Sequence, residues 1–175
     1  VYLMPTTKQR AYGILSISED NLIFKQLKVT DPSESTWSTF YGSTEPTALI
    51  GYALVKVSDC KTKTPNIQKS NIDHTSLSEP YWTTGRQPPL TVYDNLDNDD
   101  LVLCIIYGIK RNNGNIDIDL NPLIGGKVEN SESPLNCFYR EMVEETGLNL
   151  VDKKYSKTKI STILDKQTNY FIIKI

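Results

Sequence analysis

The stretch GKVENSESPLNCFYREMVEETGL, residues 126–148, decides how this chain is interpreted, because it combines a well-bounded helix with a crowded set of acidic side chains. Ser133 is a suitable N-cap, and Pro134 fits the first helical position, where its missing N–H costs nothing. Gly147 fits the left-handed position just past a helix end. The spacing therefore predicts a helix over residues 134–146.

The predicted helix places its glutamates beside an apolar stripe. Glu141, Glu144 and Glu145 cover an arc of about 100° within one turn. They repel one another and lie near the helix C-terminus, where the helix dipole disfavours anions. A divalent cation reverses this effect, because Mg²⁺ and Mn²⁺ take carboxylate oxygens as ligands. The predicted core face spans about 140° and consists of Leu135, Phe138, Tyr139, Met142, Val143 and Thr146.

The complete pattern resembles the Nudix box, the catalytic motif of a family of diphosphate hydrolases. The chain reads Gly126, five residues, Glu132, seven residues and then Arg140-Glu141-Met142-Val143-Glu144-Glu145-Thr146-Gly147-Leu148, with every fixed position of the box matched. The resemblance implies the family's α/β fold, an α/β/α sandwich with a mixed β-sheet and the box helix packed on it.

The resemblance also implies a metal site. Glu141, Glu144 and Glu145 would hold one or more Mg²⁺ or Mn²⁺ ions, and the backbone carbonyl of Gly126 would add a ligand. Glu132 would support the metal shell or the loop before the helix. We expect the three helical glutamates to converge with the Gly126 carbonyl on a common point.

Catalytic roles follow from the same resemblance. Arg140 would orient the glutamates, and it can brace Glu144 as an i,i+4 pair. The proton of the attacking water would pass to Glu144 or to Glu145. These two assignments of the general base stay open, because Nudix enzymes vary in where the base lies.

The residues around the glycine pair are candidates for substrate binding. Gly125 and Gly126 let the backbone approach phosphates closely, and Lys127 is placed to meet a phosphate oxygen. Ile124 stands where many family members have proline. The run Leu123-Ile124-Gly125-Gly126-Lys127 resembles Nudix decapping proteins of large DNA viruses. The expected partner is therefore a nucleotide-like small molecule or capped RNA.

The rest of the chain permits two domain layouts. In one, residues 88–175 form the catalytic core and residues 1–87 a β-rich extension. In the other, a hairpin at residues 10–29 supplies the first core strands and residues 30–89 are a long insertion. The family normally has a further helix after the last strands, and none is predicted here. Either the core is truncated at its C-terminus or part of it is left uncovered. Further strands are predicted at residues 48–57, 90–93, 101–107 and 116–120, and a second hairpin at residues 159–175.

Composition excludes several classes of protein. The chain has 175 residues and a net charge of −2, so no global field attracts nucleic acid or an anionic membrane. Its three cysteines, Cys60, Cys104 and Cys137, are widely spaced, which favours reduced thiols in an intracellular, cytoplasmic protein. No apolar run approaches the roughly 20 residues that span a bilayer, so no membrane partner is expected. The sequence does not fix the oligomeric state.

The sequence thus predicts metal-dependent hydrolysis of a diphosphate linkage in a nucleoside diphosphate-linked substrate. The alternative is a catalytically inactive Nudix-fold module that binds RNA or a protein partner. Loss of catalysis is usually accompanied by substitutions in the box, whereas every acidic position is intact here. Titration with a divalent metal separates the two hypotheses.

Overall fold

The computed structural model describes residues 9–18, 20–22, 24, 27, 38–39, 46–61, 67–70, 82–84, 88–114, 116–151 and 159–175. The chain forms two compact units, called here the box unit (Val1–Leu15 with Ile124–Ile175) and the strand unit (Ser16–Leu123). In chain order the elements are β1 (Arg10–Ser16), β2 (Ser38–Thr39), β3 (Pro46–Lys56), α1 (Val57–Cys60), β4 (Ile67–Ser70), β5 (Trp82–Thr84), a 3-10 helix (Leu90–Asn95), β6 (Leu101–Lys110), β7 (Ile116–Asn121), β8 (Ile124–Lys127), α2 (Pro134–Thr146), β9 (Lys159–Asp165) and β10 (Thr168–Lys174).

The strand unit is a mixed β-sheet built around β6. Strand β6 pairs antiparallel with β3 and with β7, and β5 runs parallel to β7. Residues 102–106 of β6 are almost fully buried, so both faces of this strand are covered. A continuous apolar run suits a strand in that position. The strands predicted at residues 48–57, 101–107 and 116–120 are confirmed as β3, β6 and β7.

Residues 90–93, predicted as a strand, form part of the 3-10 helix instead. The Val92 N–H donates to the Pro89 carbonyl over 3.0 Å, and the Leu96 N–H donates to the Tyr93 carbonyl over 3.0 Å. Val92 and Tyr93 are buried, whereas Leu90 is 67 % exposed. The prediction was wrong because a short apolar run is compatible with either a strand or a helical turn.

The hairpin predicted over residues 10–29 is confirmed only in its first arm, which is β1. In the second arm, the described residues Leu22 and Phe24 are helical. The Phe24 N–H donates to the Asn21 carbonyl over 3.1 Å, and the Leu27 N–H donates to the Phe24 carbonyl over 3.2 Å. These turns bury Phe24 and Leu27 at a spacing of three residues, which suits helical turns and not the alternation of a strand.

The box unit packs α2 against β8 and β10. Strand β1 pairs antiparallel with β8 from Arg10↔Lys127 to Gly13↔Ile124. Strand β10 lies next to β1 and pairs antiparallel with β9 along its whole length. The hairpin predicted at residues 159–175 is therefore confirmed, and its last strand becomes part of the support for α2.

Helix α2 has the bounds that its sequence predicts, Pro134–Thr146. The Ser133 hydroxyl accepts a hydrogen bond from the Asn136 N–H over 3.1 Å. Gly147 has a φ of +77°, the left-handed conformation expected just past the helix end. The capping residues thus determine both ends of α2 through local interactions alone.

The buried face of α2 is rotated from the predicted stripe toward the glutamates. Phe138 and Met142 are buried as predicted, but Cys137 is also fully buried and Val143 is 44 % exposed. The Phe138 ring lies 5.8 Å from the ring of Phe171 in β10, measured between centroids. This rotation turns part of the acidic arc toward β8, whereas the helical wheel had placed that arc outside the core.

The division of the chain at residue 88 stays a prediction. Both compact units draw on residues from each side of it, because β1 pairs with β8 in the box unit and β3 pairs with β6 in the strand unit. The described cysteines Cys60, Cys104 and Cys137 are free and buried, as expected of reduced thiols. Within the described ranges, none of the helices has the length and apolar character of a membrane span.

Candidate active site

The site begins at the glycine pair of β8. Gly125 has a φ of +153°, a backbone conformation that residues with a side chain rarely adopt. A Cβ at this position would overlap the carbonyl oxygen of Ala11 and lie 2.7 Å from the Cα of Tyr12, both in β1. Glycine is therefore required at Gly125 for the close pairing of β8 with β1.

Gly126 brings the strand against the box helix. A Cβ on Gly126 would lie 2.6 Å from Oε1 of Glu141 and 3.1 Å from its Cδ. The carboxylate of Glu141 thus occupies the space that any side chain at Gly126 would fill. The first glycine and the first helical glutamate of the box are in direct contact because of this missing side chain.

Arg140 is held on one side by Glu132. Its Nε donates to Oε2 of Glu132 over 2.8 Å, and its Nη2 donates to Oε1 over 3.1 Å. Paired bonds of this kind are the strongest arginine–carboxylate geometry. The hydrogen bond from Arg140 is the main cause that lowers the pKa of Glu132 to about 2. Glu132 therefore stays ionised and fixes the arginine to the loop before α2.

The other side of the Arg140 guanidinium contacts the helical glutamates. Its Nη1 donates to Glu141 Oε1 over 3.2 Å and to the two oxygens of Glu144 over 3.2 and 3.4 Å. Its Nη2 also donates to the carbonyl of Lys127 over 3.3 Å. Arg140 thus joins the loop, the helix and the glycine strand, and its role in orienting the glutamates stays a prediction.

Negative charge exceeds positive charge around this arginine. Three carboxylates, those of Glu132, Glu141 and Glu144, accept hydrogen bonds from one guanidinium. Burial is the main cause that raises the pKa of Glu141, and the charge of Glu144 raises it further. The side chain of Glu141 is 15 % exposed and that of Glu144 is 56 % exposed. The group is therefore chemically suited to a hard cation that approaches from the solvent side.

The structure does not bring the expected ligands to a single point. Among the described residues, no three acidic, histidine or cysteine side chains are arranged to hold a metal ion. The contacted carboxylates meet at the Arg140 guanidinium instead. Glu145 lies on the same helix, and its Oε2 is buried. The oxygen donors and the excess negative charge fit Mg²⁺ or Mn²⁺, and ligation by these residues stays a prediction.

Cys137 is a residue of this site whose place sequence reasoning missed. Its thiol lies 3.4 Å from the carbonyl oxygen of Lys127 and 3.9 Å from that of Gly126. Burial is the main cause that raises the pKa of Cys137 to about 12, so the group is a neutral thiol. On the helical wheel Cys137 falls among the glutamates, about 100° from the apolar stripe, so no signal in the sequence indicated its burial. Because the buried face of α2 is rotated, the Cys137 side chain contacts β8.

Glu129 is a second residue that was missed. Its backbone N–H donates to Oε1 of Glu132 over 3.1 Å, and its carboxylate lies 3.8 Å from Nη2 of Arg140. The carboxylate of Glu129 is 68 % exposed, so this ion pair is worth little. Its main contribution is the backbone bond that orients Glu132.

Comparison with known families supports the Nudix assignment. Residues 95–170 match the family model of the NUDIX domain. The matched segment runs from the end of the 3-10 helix through the box to β10, so the likeness is not confined to the catalytic motif. With the mixed sheet and the packed box helix, it identifies the fold as the α/β Nudix fold, and it supports hydrolase activity on nucleoside diphosphate-linked substrates. No curated protein and no solved structure is significantly similar to the chain.

Proposed function

We propose that this protein is a Nudix hydrolase that uses a divalent metal to cleave a diphosphate linkage in a nucleoside diphosphate-linked substrate. The observation that carries this proposal is the meeting of Glu132, Glu141 and Glu144 on Arg140, with the Glu141 carboxylate against Gly126. A solvated acidic helix face has no reason to place its carboxylates against a glycine strand.

The helical glutamates and the glycine strand would hold the metal. Glu141, Glu144 and Glu145, with the Gly126 carbonyl, supply only oxygen donors, the kind that Mg²⁺ and Mn²⁺ bind. A bound cation would neutralise charge on the diphosphate and activate a water molecule for attack at phosphorus. Glu132 would act by holding Arg140 in place.

The remaining roles belong to side chains that face solvent or substrate. Glu144 is more than half exposed, so it is accessible to an attacking water and able to accept its proton. Glu145 is the alternative base, since it lies beside Glu144 on the same turn. The exposed side chain of Lys127 would contact a phosphate oxygen.

The substrate is found with a panel of nucleoside triphosphates, ADP-ribose, dinucleoside polyphosphates and capped RNA, each assayed with Mg²⁺ and with Mn²⁺. Capped RNA is included because residues 123–127 resemble viral Nudix decapping proteins. We expect turnover of at least one of these diphosphate-containing substrates, dependent on the metal. Absence of turnover across the panel would count against the proposal.

The competing function is a catalytically inactive Nudix-fold module that binds RNA or a protein partner. One observation favours it: within the described ranges, Arg140 neutralises carboxylates that do not form a three-ligand metal group. Titration of Mn²⁺ into the protein by calorimetry separates the two functions. An enzyme is expected to bind Mn²⁺ and turn over a substrate, whereas a module of this kind would do neither.

A further inference from the structure

We propose that Arg10 of β1 and Lys127 of β8 together bind a phosphate group of the substrate. This inference rests on the proposed function, which it deepens by adding a substrate-binding residue from outside the box. Lys127 follows the glycine pair directly, whereas Arg10 lies more than a hundred residues earlier in the chain. The pairing of β1 with β8 brings the two cations together.

Both side chains point away from α2. A Cβ on Gly13 would overlap the Phe138 ring of α2, and a Cβ on Gly126 would meet Glu141 of the same helix. Successive residues in a strand face opposite sides, so Arg10 and Lys127 lie on the other face of the strand pair. They are direct partners in the register, which places their Cβ atoms about 4.5–5.5 Å apart.

Two like charges in this arrangement destabilise a sheet unless an anion lies between them. Among the described residues, neither Arg10 nor Lys127 forms an ion pair with a carboxylate. The Lys127 side chain is exposed and Arg10 is partly exposed, so both are accessible to a ligand. A phosphate group would supply the missing negative charge, since arginine and lysine are its usual side-chain ligands.

Neighbouring residues also hold the Arg10 side chain and the strand that carries Lys127 in position. Nη1 of Arg10 donates to the hydroxyl of Tyr12 over 3.3 Å, and the Tyr12 ring stacks on Tyr170 with 6.4 Å between centroids. The backbone carbonyl of Lys127 accepts from Arg140, which fixes the strand from which the lysine extends. The cation pair therefore adjoins the Gly126 peptide, whose carbonyl is a proposed metal ligand.

The test compares Arg10→Gln, Lys127→Gln and the double variant with the parent. Lys174→Gln is the matched control, because it removes an exposed lysine from the same unit at β10. Two quantities are measured: KM and kcat on the best substrate of the panel with saturating Mn²⁺, and binding of inorganic pyrophosphate by calorimetry in EDTA. Melting temperatures establish whether each variant is folded. If Arg10→Gln does not fold, Lys127→Gln alone tests the proposal.

Each single substitution is expected to raise KM and weaken pyrophosphate binding on the order of tenfold, with kcat nearly unchanged. Lys174→Gln should leave both quantities at parental values. Parental KM and pyrophosphate affinity in both variants, or no pyrophosphate binding by the parent, would overturn the cation-pair site while leaving the hydrolase proposal intact. If no substrate is turned over, the hydrolase proposal fails, and the pyrophosphate measurement still decides whether the cation pair binds phosphate.

Discussion

The contact between Gly126 and Glu141 gives a substitution whose effect on activity and effect on stability should differ widely. In Gly126→Ala the new Cβ would start 2.6 Å from Oε1 of Glu141, and ordinary contacts begin near 3.4 Å. The carboxylate must therefore retreat by about 0.8 Å, the difference between those two distances. Its 3.2 Å bond from Nη1 of Arg140 would be strained or lost.

The cost in stability should be small because the displaced group is the end of a flexible side chain. Loss of a hydrogen bond to a charged group costs about 1.5–3 kcal/mol. Replacing glycine by alanine recovers about 0.4–1 kcal/mol by restricting the unfolded chain. A net destabilisation of about 1–2 kcal/mol is expected for Gly126→Ala. Misplacement of a reacting group by about 1 Å can lower turnover about 10²-fold. We therefore expect a large loss of kcat in a variant whose free energy of unfolding changes only modestly.

The assay combines urea unfolding with kcat at saturating Mn²⁺. Gly114→Ala is the matched control, because Gly114 has a φ of +86° in open space, so alanine there adds backbone strain and no steric contact. That control should lose about 1–3 kcal/mol and keep parental kcat. Gly125→Ala, whose Cβ would strike the β1 backbone, should lose more stability than either. Parental kcat in Gly126→Ala, or an equal loss of kcat in Gly114→Ala, would refute the role assigned to this contact.

Three further predictions concern stability. The contribution of Glu132, whose pKa is lowered from 4.5 to about 2, should be present above pH 4.5 and lost as the pH falls toward 2. This contribution amounts to at most about 3 kcal/mol, less after solvent screening. The free energies of unfolding in urea of Glu132→Gln and the parent should therefore converge as the pH falls from 4.5 toward 2. A difference between the two proteins that stays constant with pH would contradict this prediction. Lys166→Gly should stabilise by about 1 kcal/mol in urea unfolding because Lys166 has a φ of +55°, and an unchanged midpoint would count against strain there. Gly13→Ala, which drives a Cβ into the Phe138 ring, should lower the free energy of unfolding by about 1–3 kcal/mol, and a neutral result would show that the ring can move aside.

Local rules predicted the elements that carry the box. Ser133 and Gly147 satisfied the two ends of α2, so its bounds agree with the sequence. The continuous apolar run of β6 and the alternation of β7 were sufficient for those strands. Each of these features is decided within one segment of chain, where capping and periodicity act directly.

Features that depend on distant partners were predicted less well. The helical wheel assigned Val143 to the core and placed Cys137 among the glutamates, outside the apolar stripe. Packing against β8 reverses these positions: Cys137 is fully buried and Val143 is 44 % exposed. Gly126 leaves space for the Glu141 carboxylate, and a wheel drawn for one helix contains no information about this contact.

The same limit explains the residues of β1 that adjoin the site. Arg10 and Tyr12 are placed opposite Lys127 and Gly125 by strand pairing alone. No spacing within the sequence connects position 10 with position 127, because strand register is set by burial and turn geometry across the whole unit. The box was therefore recognised from sequence and β1 was predicted as a strand, whereas the pairing of β1 with β8 was not predicted.

The most direct test of the central claim is turnover of the parent, Glu144→Gln and Glu145→Gln on the best substrate of the panel, in excess EDTA and after addition of Mn²⁺. Because Glu144 forms a half-exposed i,i+4 pair with Arg140, its neutralisation should change metal-free stability by no more than about 1 kcal/mol. The parent should be inactive in EDTA and fully active with Mn²⁺, while the variants recover about 10²-fold less activity. Full turnover of the parent in EDTA, or parental activity in both variants with Mn²⁺, would contradict the assignment of these glutamates to a metal-dependent hydrolase.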